Sequence, residues 1–215
     1  MSTDVAARVA GLIERDVAVA FRESPAYRRR QRAFDLTVGL AAIVATSPVL
    51  GLAALAIWLE DRGPILFKQG RVGRYGRIFT IYKLRTMRLD DCGDALSPTA
   101  STDRRITRVG RVLRRLSIDE LPQLFNVVRG DMSIVGPRPE MPFVVRRYER
   151  WQHLRHLRKP GITGLWQISC RSTIPLHRPE ATKIDLEYVR TASTRTDGRI
   201  FLKTFVALLS TQGAY

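Results

Sequence analysis

Between Leu36 and Leu59 the chain reads LTVGLAAIVATSPVLGLAALAIWL, with no charged side chain and a proline near its middle. No other stretch restricts the fold as strongly. An apolar run of this length is sufficient for a membrane helix. Pro48, however, has no N–H to give, and its ring crowds the carbonyl four residues earlier. Divided at Ser47-Pro48, each half reaches only about 18 Å at the helical rise, against a hydrocarbon core of about 30 Å. The flanks are basic on both sides: Arg28, Arg29, Arg30 and Arg32 precede the run, and Arg62, Lys68, Arg71, Arg74 and Arg77 follow it. Positive flanks stay cytoplasmic, so both ends are expected on one face of the membrane. The reading is a re-entrant helix–break–helix that dips into one leaflet, with the Ser47 hydroxyl satisfying a backbone group freed at Pro48. A kinked helix that crosses the bilayer is the alternative, because such residues are tolerated in spans.

The remaining composition fits a membrane surface. The 215 residues allow one domain plus appendages, and the net charge of +16 selects polyanionic partners. Beside an apolar segment those partners are membrane lipids and phosphorylated substrates, not nucleic acid. Cys92 and Cys170 form neither a disulfide framework nor a metal pair. Residues 1–30 read as an extension with an amphipathic helix over 4–22 and no signal-peptide core.

The fold class expected is α+β, mostly helical. The re-entrant segment spans 31–60 and an interfacial catalytic domain 61–215. PILFKQ and RIFTIYKLR form a small β-hairpin around the turn-rich GRVGRYG, and 88–103 is a polar loop. Residues 104–116 place Arg104, Arg108, Arg111 and Arg115 on one helical face and Ile106, Val109, Leu113 and Leu116 on the other. That pattern suits either a helix in the headgroup plane or an ordinary surface helix. A second helix starts near SIDELPQLFNVV, and PFVVRRYERWQHLRHLR is a third. GDMSIVGPRPE and GITGLWQISCRS are loops, and two helices follow at about 179–192 and 198–211.

Asp119-Glu120 is the sharpest chemical candidate. Near Arg114 and Arg115 a carboxylate is expected to keep a low pKa. It can bind Mg²⁺ together with substrate phosphates, or attack phosphorus directly. The same S-I-D-E spacing also fits a capping box, with Ser117 as N-cap and Glu120 reaching back to it. Arg138, between the prolines of GPRP, is pre-organised for a phosphate or is an incidental arginine on a stiff connector. Lys68, Arg71, Lys83 and Arg85 converge on a diphosphate or line a solvated sheet face. His153 and His156 read as residues of a surface helix, and Asp90, Asp91 and Asp94 lack EF-hand spacing.

Taken in order, RRAFDLTVGLAAIVATSPVLG, ILFKQGRVG, IYKLRTM, LRRLSIDELPQLFNVVRGDMSIVGPRPE and KPGITGLWQISCRS resemble the bacterial sugar transferases, the monotopic phosphoglycosyl transferases that begin glycan assembly. The resemblance runs from about Arg30 to the terminal GAY, in the small form without further transmembrane helices. It implies transfer of a sugar-1-phosphate from a UDP-sugar to polyprenyl phosphate, usually undecaprenyl phosphate, in exopolysaccharide, capsule, O-antigen or glycoprotein pathways. By this resemblance Asp119 attacks the sugar-bearing phosphorus, UMP leaves, and the lipid phosphate resolves a phosphosugar–aspartyl intermediate. Mg²⁺ is the implied cofactor, held by Asp119, with Glu120 as the dyad's second acid. Lys83, Arg114, Arg138 and Arg171 fall at positions associated with phosphate or nucleotide contacts, and Ser47-Pro48 at the helix break. The implied location is the cytoplasmic face of the bacterial inner membrane. The family usually has arginine where this chain has Lys159, and glycine where it has Cys170. A different class of function, a non-catalytic basic module that holds anionic lipid or a partner, has no use for an acid pair among arginines. The sugar, the pathway and the oligomeric state, a homodimer included, stay open at this level.

Overall fold

A computed structural model describes residues 23–88, 103–170 and 173–209. The expected helix over 4–22, the carboxylates Asp90, Asp91 and Asp94, Cys92 and Arg171 lie outside them. The apolar run forms most of α1, Pro25–Asp61. Ser24 Oγ caps its start by accepting from Tyr27 N at 3.1 Å, with Pro25 in the first turn, where a missing N–H costs nothing. At the other end Arg62 turns left-handed (φ 55°) and its N–H returns to Trp58 O at 2.8 Å.

The expected helix–break–helix requires correction, because α1 continues through Pro48. The physical reason lies in the preceding residue. Pro48 leaves the Val44 carbonyl without its amide partner. Ser47 Oγ donates to that carbonyl at 2.8 Å, and Thr46 Oγ1 donates to Ala42 O at 2.7 Å. The role expected of Ser47 is thus observed, within one continuous helix.

α1 is long and apolar enough to cross a membrane. Leu40, Val44, Val49, Leu52, Leu55, Trp58 and Leu59 are exposed along it. Both halves nevertheless pack on the rest of the chain. Phe34, Val38, Ala42 and Ile43 join a core of Ile81, Leu124, Val127, Ile134, Tyr188 and Ile200. Leu50, Ala53 and Ile57 join Leu84 and Leu113. Polar ties reinforce each end. Arg32 donates to Val127 O and Val128 O, both at 2.7 Å, and buried Asp35 accepts from Ser133 Oγ at 2.8 Å and Ile134 N at 2.9 Å. Asp61 pairs with Arg85, and Glu60 accepts from Arg108 N at 2.8 Å and Val109 N at 3.1 Å.

The hairpin forms as read: β1, Leu66–Val72, pairs antiparallel with β2, Ile78–Leu84. Phe67 lies opposite Lys83, whereas Lys68 lies opposite Tyr82 on the other face. α2, Arg108–Arg115, is shorter than expected. Thr107 caps it through Gly110 N at 2.9 Å, and Ile106 bridges to Met87 instead of joining the helix. A 3₁₀ turn, Ile118–Glu120, precedes α3, Gln123–Arg129.

The two segments read as loops contain short elements. β3, Ser133–Val135, runs parallel to β4, Gly161–Thr163, and α5, Leu165–Ser169, follows. The third helix is broken into α4, Pro142–Val145, and a 3₁₀ segment, Arg150–Leu157. Extended Glu149 separates them and starts a capping box with Gln152. His153 and His156, expected at a surface, are buried at 2% and 5% exposure, packed with Tyr148. α6, Pro179–Thr191, and α7, Thr194–Leu209, complete the chain, with Phe201 edge-on to Phe34 at 5.4 Å.

Candidate active site

Three elements converge where α2 ends. Ser117 turns left-handed (φ 55°), so the chain reverses and the following 3₁₀ turn swings Asp119 inward to 8% exposure. Glu120 is gripped from two sides. Lys83 Nζ, from β2, donates to Oε1 at 2.8 Å. Arg138, from the GPRP loop, forks onto both oxygens, Nη1 donating to Oε2 at 3.2 Å and Nη2 donating to Oε1. Arg114, on the last turn of α2, is steadied by Nε donating to Thr86 Oγ1 at 2.8 Å. Lys83, Glu120, Arg114 and Arg138 are the charges that act on Asp119.

This geometry decides between the two readings of S-I-D-E. Ser117 makes no side-chain cap and its buried Oγ has no hydrogen-bond partner among the described residues, while Glu120 turns to Lys83 and Arg138. The spacing is not used as a capping box. The expected low pKa of Asp119 is also corrected. Burial, assisted by the like charge of Glu120, raises it against the pull of Lys83, Arg114 and Arg138. Burial likewise lowers Lys83, with Glu120 opposing. For Arg138 burial works against the charge, but Glu120 outweighs it and the guanidinium is held firmly protonated.

The GPRP loop rests on backbone contacts that admit no side chain. Gly136 N donates to Thr163 O, and Gly161 N donates to Pro137 O, both at 2.9 Å. A Cβ on Gly161 would sit 2.1 Å from Gly136 N.

Of the basic residues read from the hairpin, only Lys83 reaches the acids. Arg71 is buried behind the loop, donating to Pro139 O at 3.2 Å and Gln69 Oε1 at 2.7 Å, and burial lowers its pKa to about 10. Arg85 is committed to Asp61 at the end of α1, and Lys68 is exposed on the opposite face of the strand. Sequence reasoning missed Asn126. Its Oδ1 accepts from Tyr82 N at 3.2 Å and its Nδ2 donates to Thr80 O at 2.7 Å, so α3 pairs with the free edge of the strand that carries Lys83. The signal was a lone amide inside the apolar run LFNVV.

Among the described residues no group of three or more His, Cys, Asp or Glu is gathered for a metal ion. A closed protein cage is therefore not the mode the site offers. Mg²⁺ typically binds through one or two carboxylates plus substrate phosphates. Asp119, a buried carboxylate that accepts no hydrogen bond from the described residues, fits that mode, whereas Glu120 already faces Lys83 and Arg138.

The bacterial sugar transferase profile matches residues 26–211. The undecaprenyl-phosphate glucose phosphotransferase of Komagataeibacter xylinus is 43% identical over 196 residues, which cover 86% of this chain and 37% of that one. The UDP-glucose:undecaprenyl-phosphate glucose-1-phosphate transferase of Caulobacter vibrioides is 42% identical over 194 residues, 86% of this chain and 72% of that one. The UDP-N-acetylgalactosamine-undecaprenyl-phosphate N-acetylgalactosaminephosphotransferase of Aeromonas hydrophila is 38% identical over 200 residues, 89% of this chain and 46% of that one. The chain thus spans less than half the length of the first and third of these relatives.

Proposed function

The chain belongs to the bacterial sugar transferase family, and from that premise we propose that it moves a sugar-1-phosphate from a UDP-sugar to polyprenyl phosphate, with undecaprenyl phosphate as the acceptor. The observation that carries this reading is a buried carboxylate, Asp119, ringed by Lys83, Arg114 and Arg138 and backed by Glu120. An Asp119 oxygen bonds to the sugar-bearing phosphorus as the bond to the UMP oxygen breaks, and UMP leaves with that electron pair. An oxygen of the lipid phosphate then attacks the same phosphorus and Asp119 is released, giving polyprenyl diphosphate-sugar. Negative charge spreads over the phosphoryl oxygens during both displacements. Arg114 and Lys83 are placed to receive it, and Arg138 shares its fork between Glu120 and that charge. Mg²⁺, when held by Asp119 and the diphosphate, would neutralise further phosphate charge.

The re-entrant, monotopic placement is part of the proposal. Its support is that both halves of α1 pack on one body while apolar side chains from Leu40 to Leu59 stay exposed along it. Such a helix presents the site to a lipid phosphate at the headgroup level, on the cytoplasmic face of the inner membrane.

Intact-mass spectrometry tests the central step. Enzyme mixed with a UDP-sugar donor alone gains the mass of a phosphosugar, while Asp119→Asn gains none. The variant still sediments with membranes and releases UMP at least ~10³-fold more slowly, the scale on which loss of a covalent nucleophile acts. Near wild-type UMP release by Asp119→Asn removes Asp119 as the nucleophile.

A further inference from the structure

We propose that Arg155 is a positioning residue for this transfer, fixing the Arg138 guanidinium on Glu120 by holding the carbonyl oxygen of Arg138 itself. The inference rests on the transferase reading and deepens it. Pro137 and Pro139 have no N–H, so past Gly136 N, which donates to Thr163 O, the loop offers chiefly the carbonyls of Pro137, Arg138 and Pro139 to be tied. All three are. Gly161 N donates to Pro137 O at 2.9 Å, Arg155 Nη2 to Arg138 O at 2.8 Å, and Arg71 Nη1 to Pro139 O at 3.2 Å. The middle clamp comes from the remote 3₁₀ segment and is the one attached to the residue that grips Glu120.

Arg155 is itself immobilised. It is 2% exposed; Nη1 donates to Tyr148 OH at 2.5 Å, and Nη2 also donates to Asp185 of α6, which is fully buried. Stability alone gives no reason for this pair, since a buried ion pair is commonly replaceable by apolar residues without loss. A planar fork that meets a hydroxyl, a carboxylate and a carbonyl at once does give one. It transfers the fixed direction of α6 to the Arg138 backbone, leaving only the Arg138 side chain free to move between Glu120 and a phosphate. Lysine keeps the charge opposite Asp185 but lacks the fork.

The test compares Arg155→Lys, the charge-free pair Arg155→Met/Asp185→Leu, Arg138→Ala and Arg155→Lys/Arg138→Ala. Each is made in the full chain and purified in nanodiscs. Three quantities are read: UMP turnover, melting temperature, and the melting shift produced by UDP with Mg²⁺. Arg155→Lys and the charge-free pair are expected to melt near the wild type yet turn over about ten- to a hundredfold more slowly. Their UDP shift falls to that of Arg138→Ala. In the Arg138→Ala background, Arg155→Lys changes turnover less than about twofold, because its effect passes through Arg138. Wild-type turnover and UDP shift in Arg155→Lys overturn the proposal. So does a loss that multiplies in full upon that of Arg138→Ala, which marks a general structural role. Should no UDP-sugar yield UMP from the wild type, the transferase reading fails while the UDP-shift comparison still judges Arg155. A wild type that UDP does not stabilise overturns the proposal as well.

Discussion

Asp119 and Glu120 are chain neighbours with opposite surroundings. Glu120 is neutralised by direct contacts with Lys83 and Arg138, whereas Asp119 is buried with charges near it but no hydrogen bond from the described residues. In the proposed reaction, that difference makes Asp119 the oxygen available for bond formation. It also gives a pH prediction with a definite sign. Burial raises the pKa of Asp119 and Lys83 lowers it, so removing Lys83 raises it further. An acid nucleophile must be ionised, so activity is lost as pH falls through its pKa. In Lys83→Ala the acid limb of the UMP-release profile is expected to move to higher pH, with turnover at the optimum down by about tenfold or more. A limb that stays put separates Lys83 from the ionisation of Asp119. At this scale the sequence was informative about identity and poor about environment. An acid pair among arginines stood out, and Lys83 and Arg138 joined it. Which face of a strand holds Lys68, and whether burial or charge sets a pKa, depends on register and depth that spacing does not carry.

Among the elements, α3 starts at Gln123 and not near Ser117, but the longer periodic patterns were legible: the hairpin and the two C-terminal helices formed near their expected bounds. The parallel contact of β3 with β4 was not. Each strand is three residues long, and what joins them is backbone close to backbone at Gly136 and Gly161. Gly161→Ala forces a Cβ to 2.1 Å from Gly136 N, so the GPRP loop must shift. The variant is expected to unfold more easily by about 1–3 kcal/mol, as overpacked sites do. Turnover should fall beyond what the remaining folded fraction explains, because Arg138 moves with the loop. Denaturation in detergent alongside the UMP assay checks both parts. Unchanged stability and rate in Gly161→Ala would show that the crossing relaxes freely. The expected third helix splits before extended Glu149, whose capping box with Gln152 starts the 3₁₀ segment that buries His153 and Arg155.

For the whole molecule, the basic flanks pointed to both ends of the apolar segment on one side of the membrane, and the proline to a break between two helices. The structure adds that one continuous helix supports both ends on the same body, through Arg32 and Asp35 at one side and Glu60 and Asp61 at the other. Ser47 was visible in the sequence as a donor, but its effect was not. A hydroxyl on the stranded carbonyl lets the helix pass through Pro48 where composition argued for a break. Single cysteines at Arg30 and Arg62 test the placement in sealed vesicles of known orientation. Both are expected to react with a membrane-impermeant maleimide from the cytoplasmic side only. Labelling of the two positions from opposite sides establishes a crossing helix instead.

Glu60 accepts from the first amides of α2, and the hydrophobic side chains of α1 complete two cores. The candidate membrane helix is therefore also part of the scaffold. Cutting it away to obtain a water-soluble enzyme would uncover the seams that hold Arg114 and Arg138 in place. Exchanging it for an unrelated lipid tether would restore address without restoring architecture. Workable expression strategies must keep this helix and cover its exposed apolar side chains.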